Sequence, residues 1–189
     1  MIRKIFQHLK TICKHKAIVS LECIKCGFIL RGLMHDNSKF GLTEFLPSAK
    51  HFQRSRSPIE AEEEQEGYSL AWLHHKGRNP HHWEYWTDFD AEGGIITNKI
   101  PYEYVVEMVC DWIGAGMVYS KGKWTQASPL KYYEQVRRGR YFHPETEALI
   151  IKFLKCIRDK GLKEFHQLAR TAQKGYLNAI CNTSCEKGR

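Results

Sequence analysis

Apolar side chains recur at helical spacing along most of the chain, and no stretch alternates as a half-buried strand does. The first run extends from about Ile2 to Cys26, with Ile5, Ile12, Ile18, Leu21 and Cys26 as apolar positions and Gly27 as its stop. A short helix to about His35 follows, then a helix capped at Thr43 and reaching about Phe52. Residues 54–58 are a polar linker. A longer helix is predicted from about Ile59 to Lys76, ending at Gly77, with the acidic run Glu60–Glu66 as its solvated start. Gly77–Pro80 reads as a turn, His81–Trp86 as an aromatic-rich continuation, and Asp88–Lys99, with two glycines, as a loop. Pro101 suits the first position of a helix to about Tyr119, and Lys121–Trp124 has room for a small hairpin. Further helices start at Ser128-Pro129 and at Pro144, the second ending at Gly161; a last one runs from about Leu162 to Ile180, with a fraying tail. The expected class is all-α, a single-domain helical bundle over residues 1–189.

Composition narrows the picture. The chain has 189 residues, 42% of them hydrophobic and 26% charged, enough to bury a sizeable core in a globular domain. The net charge of +8 suits an anionic partner: a nucleotide, a nucleic acid or a membrane surface. No run approaches 18 uncharged apolar residues, and the apolar stretch after the basic N-terminus is broken by Glu22 and Lys25, unlike a signal peptide. The seven cysteines are an odd, scattered set; Cys23 and Cys26 form a CxxC inside an apolar helical pattern, with no second CxxC nearby. They read as reduced thiols, and the chain as cytoplasmic, with no membrane partner.

Ten histidines are many for this length, and six of them fall with two aspartates in four short segments: His15, the pair His35-Asp36, the HHKGRNPHH run of residues 74–82, and Asp111. Asp111 interrupts a helix that is apolar nearly all round, where an unpaired carboxylate would be costly. It needs a cation: a metal, or a buried ion-pair partner. Gly114 and Ala115, one turn on, allow another element to approach. His35-Asp36 follows the core segment Leu33-Met34; imidazole and carboxylate together suit Zn, Mn or Fe, and a carboxylate can bridge two ions. Lys39 is placed to meet an anionic group. Adjacent helical residues point about 100° apart, so one member of each histidine pair is expected to face the site. His75 is favoured over His74 because it continues the face through Tyr68 and Ala71; His81 and His82 are not separated by this reasoning. His15 and His35 would lie about 30 Å apart on one straight helix. They meet only if the chain reverses near Gly27, with arms of about 18 and 12 Å.

This order of residues resembles the HD superfamily of metal-dependent phosphohydrolases, in which a His, a His-Asp pair and a distal Asp converge on a helical bundle. Members with two metals add histidines between the pair and the last Asp. Here the order is His15, His35-Asp36, one of His74/His75, one of His81/His82, then Asp111. Lys39 stands where HD-GYP-type phosphodiesterases have the lysine of HDxGK, although no GYP signature is present and the histidines are compressed into one turn. The finer pattern of HDxSKF, AWLHHxxRNxHHWxYW and a YxxEMVCDW-like helix is similar to a bacterial and phage family of unknown function, over about residues 10–135.

The resemblance implies an HD-type bundle with a metal core at about residues 10–135 and supporting C-terminal helices at about 128–182. It implies one or two divalent transition ions (Mn, Fe, Zn, Co or Ni), with His15, His35 and Asp111 on one, His75, His81 and His82 on the other, and Asp36 between them. Lys39, Arg78 and Lys76 would offset charge on phosphoryl oxygens, and Glu84 or Glu107 would orient a ligating histidine. Trp72, Trp83, Tyr85 and Trp86 stack a base or close the core. The expected activity is hydrolysis of a nucleotide or other small phosphoester. The alternatives are a di-iron oxygenase of the same ligand order, and a non-catalytic, metal-stabilised module that binds nucleic acid or protein.

Overall fold

The computed structural model describes residues 2–53 and 56–173, and their architecture is all-α with one small hairpin. Helix α1 (Ile2–Lys25) and helix α6 (Tyr102–Tyr119) form the central pair. Helices α2 (Ile29–Met34), α3 (Leu42–His51), α4 (Pro58–Glu66) and α5 (Leu70–Lys76) gather on one side. Helices α7 (Ser128–Val136) and α8 (Pro144–Lys160) pack on α6 from the other side, followed by a helix at residues 162–173. The expected continuation of that last helix to Ile180 lies partly outside the described residues.

The core sits where α6 meets α1 and α8, around Val19, Val109, Ile113, Phe153, Leu154 and Phe165, each wholly buried. Burying one such side chain contributes about 1.5–3 kcal/mol. Helix α6 is apolar on nearly every side, as expected, and ten of its residues are buried. Helix α1 is different. Its buried stripe is His8, Ile12, His15, Val19, Glu22 and Cys23, while Leu21 is 51% exposed. The stripe keeps helical spacing but half of it is polar, so an apolar pattern alone misplaces the inner face.

Two backbone features bring α1 to the site. At Gly27, φ is +91°, and the chain turns there so that α2 folds back along α1. Gly114 on α6 faces α1: an added Cβ would lie 2.5 Å from Val19 Cγ2 and 3.5 Å from His15 Nδ1. The missing side chain lets the two helices close up.

Several expectations need correction. The helix expected from Ile59 to Lys76 is two. Gly67 is left-handed at φ +80° and ends α4, and Ser69 Oγ accepts from Trp72 N to start α5 while donating to the buried Glu62. Helix α3 starts after Gly41, not at a Thr43 cap, and Pro101 precedes α6 as its cap residue. The segment expected to be loop carries antiparallel strands β1 (Thr87–Phe89) and β2 (Ile95–Thr97), paired Asp88 to Ile96. No hairpin forms at Lys121–Trp124, where Lys121 and Gly122 make a left-handed turn.

Two predictions follow from the packing. Gly114→Ala gains about 1 kcal/mol of helix propensity, but its methyl overlaps a side chain wedged between two helices, and overpacking costs about 1–3 kcal/mol. The overlap wins: the melting temperature should fall by a few degrees, and an unchanged or higher value would show that α1 yields freely. His8 is buried between Phe45 and Phe52, at centroid distances of 5.2 and 5.4 Å. Burial, helped by the nearby charge of Lys39, lowers its pKa to about 4. The unfolded chain takes up that proton near pH 6.5 and the folded chain does not. Stability should therefore drop as pH falls from 6.5 to 4, by up to about 3 kcal/mol. Denaturant titrations of His8→Leu should lack this component; parallel curves for the two proteins would refute it.

Candidate metal centre

The four histidine and aspartate segments converge. Asp36 lies between α2 and the 3₁₀ turn Asn37–Phe40 in a left-handed conformation (φ 53°, ψ 25°), which asparagine and aspartate tolerate better than other side chains. Its carboxylate is buried and split. Oδ2 faces His15 Nε2 at 3.4 Å and His35 Nε2 at 3.3 Å; Oδ1 faces His75 Nε2 at 3.2 Å and His81 Nε2 at 3.5 Å. Asp111 Oδ1 joins the first set, 3.0 Å from His15 Nε2 and 3.6 Å from His35 Nε2. Two groups therefore share Asp36: His15, His35, Asp36 and Asp111, and Asp36, His75, His81 and His82. The ligand atoms within each lie within 4.8 Å of one another, close enough to hold a metal ion.

Both His81 and His82 belong to the second group, although one of the pair was expected to face away. The reason is local backbone. His82 is extended (φ −94°, ψ 136°), so the 100° helical offset does not apply, and the two rings sit 4.2 Å apart. His74 does turn away, as expected, and pairs with Glu44 Oε1 at 2.6 Å.

A second layer orients the rings. Glu107 Oε1 is 2.9 Å from His35 Nδ1 and 3.2 Å from His81 Nδ1, and Glu44 Oε2 is 2.8 Å from His75 Nδ1. A carboxylate only accepts, so each Nδ1 carries the hydrogen and each Nε2 is directed inward. Of the two glutamates considered from the sequence, Glu107 takes this role. Glu84 does not: its buried Oε2 makes no hydrogen bond. Glu44 escaped sequence reasoning because, in the first turn of α3, it looks like an ordinary helix-start acid. Lys16 escaped it too; its Nζ donates to Leu33 O (2.8 Å) and His35 O (2.6 Å), holding the turn that presents His35 and Asp36.

Lys39 Nζ contacts Asp36 Oδ2 at 2.5 Å. Arg78 is exposed on the turn after α5, and no ion pair joins it to the cluster among the described residues. Trp83 and Trp86 pack against the core, Trp72 lies against His75 and His82, and Tyr85 is exposed.

The electrostatics are those of a site short of positive charge. Burial disfavours the charged forms of Asp36 and Asp111, yet the nearby charges of His35 and Lys39 for Asp36, and hydrogen bonds from His15 and His35 for Asp111, hold both carboxyls well below the usual range. Burial likewise opposes a charge on His35 and His75, but Asp36 outweighs it and raises both. Burial also works against Glu107, whose bonds to His35 and His81 bring it to about 2. His81 and His82 are lowered by burial and by adjacent imidazoles. The Nε2 atoms of His75, His81 and His82 and Asp36 Oδ1 are buried without a hydrogen-bond partner. Inward lone pairs with nothing to bond, beside low-lying carboxylates, are what a bound cation would satisfy. Stripping the purified protein with a chelator should lower its melting temperature, and adding Mn, Zn or Co should restore it. Identical melting curves with and without chelator would argue against a bound ion.

Among the described residues, no helix is long and apolar enough to cross a membrane. Cys13, Cys23, Cys26, Cys110 and Cys156 are free; Cys181 and Cys185 lie outside the described residues. Comparison with curated proteins and with solved structures finds no match. A family model does match, over residues 4–156, and the chain belongs to that family of unknown function, DUF5662.

Proposed function

We propose that this protein is a metal-dependent phosphohydrolase of the HD type, acting on a nucleotide or other small phosphoester through a dinuclear site. One observation carries the reading: the two oxygens of Asp36 face different ligand groups, His15 and His35 on one side and His75 and His81 on the other. A carboxylate so divided suits two ions, and Asp111 and His82 complete the two sets. A divalent pair supplies an acidified water near neutral pH and positive charge toward phosphoryl oxygens.

The chain's own groups do the rest. Glu107 and Glu44 fix the imidazole tautomers that leave Nε2 free to bind. Lys39, 27% exposed and beside Asp36, is placed to reach an anionic oxygen as it arrives and to offset charge as it develops. Lys76 directly follows His75 and Arg78 lies three residues beyond it, where a longer substrate would reach them. The basic balance of the chain favours anions in general.

Elemental analysis of wild type and Asp36→Ala, with hydrolysis of a generic phosphoester, tests the proposal. Wild type should carry close to two ions and release product. The variant should lose at least one ion and fall by about a hundredfold or more in rate, in keeping with loss of an essential metal-site group. Full metal content in the variant would end the bridging role. Two irons with O₂ uptake and no hydrolysis would favour the oxygenase instead.

A further inference from the structure

Beside the metal centre lies a small cavity that the ligand geometry does not use. It has a volume of about 50 Å³ and is lined by His8, Lys39, Ser48, Ser57, His75 and Tyr119. His75 lines the cavity and belongs to the second ligand group, and Lys39 lines it while contacting Asp36, so the cavity borders that group. Glu44 also borders it, but that carboxylate is engaged by His74, His75 and Ser38.

Part of the cavity wall offers donors, and Pro58, Ile59 and Ala71 make the rest of it apolar. His8 is 4% exposed and its Nδ1 is buried with no hydrogen-bond partner. Because burial keeps this ring neutral down to about pH 4, one of its nitrogens carries a hydrogen without adding charge. Ser57 Oγ accepts from Ile59 N at the start of α4, which leaves its own hydrogen free for another acceptor. Burial raises the pKa of Tyr119, so its phenol stays protonated and can donate. Lys39, whose Nζ also contacts Asp36 Oδ2, adds a cation. Neutral donors beside an ammonium receive anionic oxygens, and an unpaired buried nitrogen such as that of His8 costs free energy until a partner arrives.

We propose that this cavity is the subsite for the terminal phosphoryl oxygens of a phosphomonoester, so that the substrate is a monoester and not a diester. The inference rests on the hydrolase reading above. A cavity of about 50 Å³ admits a few water-sized atoms and no more. A monoester presents three non-ester oxygens to such a space; a diester presents two, and its third position carries an ester-linked carbon group that the space does not take. Hydrolysis breaks the bond between phosphorus and the ester oxygen, and the oxygen of water bonds to phosphorus. One proton of that water goes to the departing alcohol, leaving orthophosphate held by His8, Ser57, Tyr119 and Lys39.

Titration calorimetry of the metal-loaded protein with inorganic phosphate tests the subsite without requiring turnover. Wild type should bind phosphate, and His8→Leu and Tyr119→Phe should each weaken it about tenfold, as expected for loss of one donor to a charged acceptor. Metal content, measured on the same samples, should stay at the wild-type level. Tyr119→Phe removes a single oxygen and guards against a folding defect in His8→Leu. In parallel, 4-nitrophenyl phosphate should be turned over with a kcat/KM at least a hundredfold above that for bis(4-nitrophenyl) phosphate. No phosphate binding, or an affinity unchanged in both variants, overturns the subsite. A diester hydrolysed as fast as the monoester overturns the substrate class while leaving the hydrolase standing. A wild-type chain that retains no metal sinks the underlying reading instead.

Discussion

Two carboxylates, Asp36 and Asp111, sit inside a helical core, and the demand that each negative charge be met governs the architecture around them. An isolated charge in such surroundings costs several kcal/mol even after relaxation. The cost is tolerated here because imidazoles from α1, from the end of α2, from α5 and from the turn beyond it converge on the two acids. The close contact of α1 with α6 at Gly114, the reversal at Gly27 and the lysine that ties down the His35 backbone all serve that convergence.

The outer layer sharpens this logic. Glu44 and Glu107 place two more carboxylates behind the rings, so that four acids gather in the cluster, with the Lys39 ammonium against Asp36. Asp36 favours the protonated forms of His35 and His75, whereas burial and adjacent imidazoles disfavour those of His81 and His82. Neutral imidazoles beside ionised acids form a donor set suited to a metal ion.

Much of this was legible in the sequence, for identifiable reasons. The helical period of α6 and the interruption at Asp111 announced an acid at the edge of the core, and the requirement that His15 meet His35 forced the turn at Gly27. His75 followed from its helical face. What stayed hidden were features that imitate something ordinary. Glu44 resembles a helix-start acid, Lys16 a solvated lysine, and the inner face of α1 is half polar, so hydrophobic patterning pointed to Leu21, which faces solvent. His81 and His82 could not be separated because the rule used was helical and the backbone there is extended. The hairpin was missed because its strands are three residues long and largely exposed, with no buried face to impose alternation.

The family match stops at residue 156, yet the chain beyond it is stitched to the site's scaffold. His166, in the helix at 162–173, bonds Glu22 Oε2 at 2.7 Å, and Glu22 lies two turns along α1 from His15. Tyr102, at the start of the helix that carries Asp111, likewise donates to Ala169 O at 2.7 Å. The boundary of recognisable kinship is thus not a boundary of mechanical dependence. Removing this last helix would take His166 from Glu22 and open its carboxylate to water, leaving Lys25 to meet its charge.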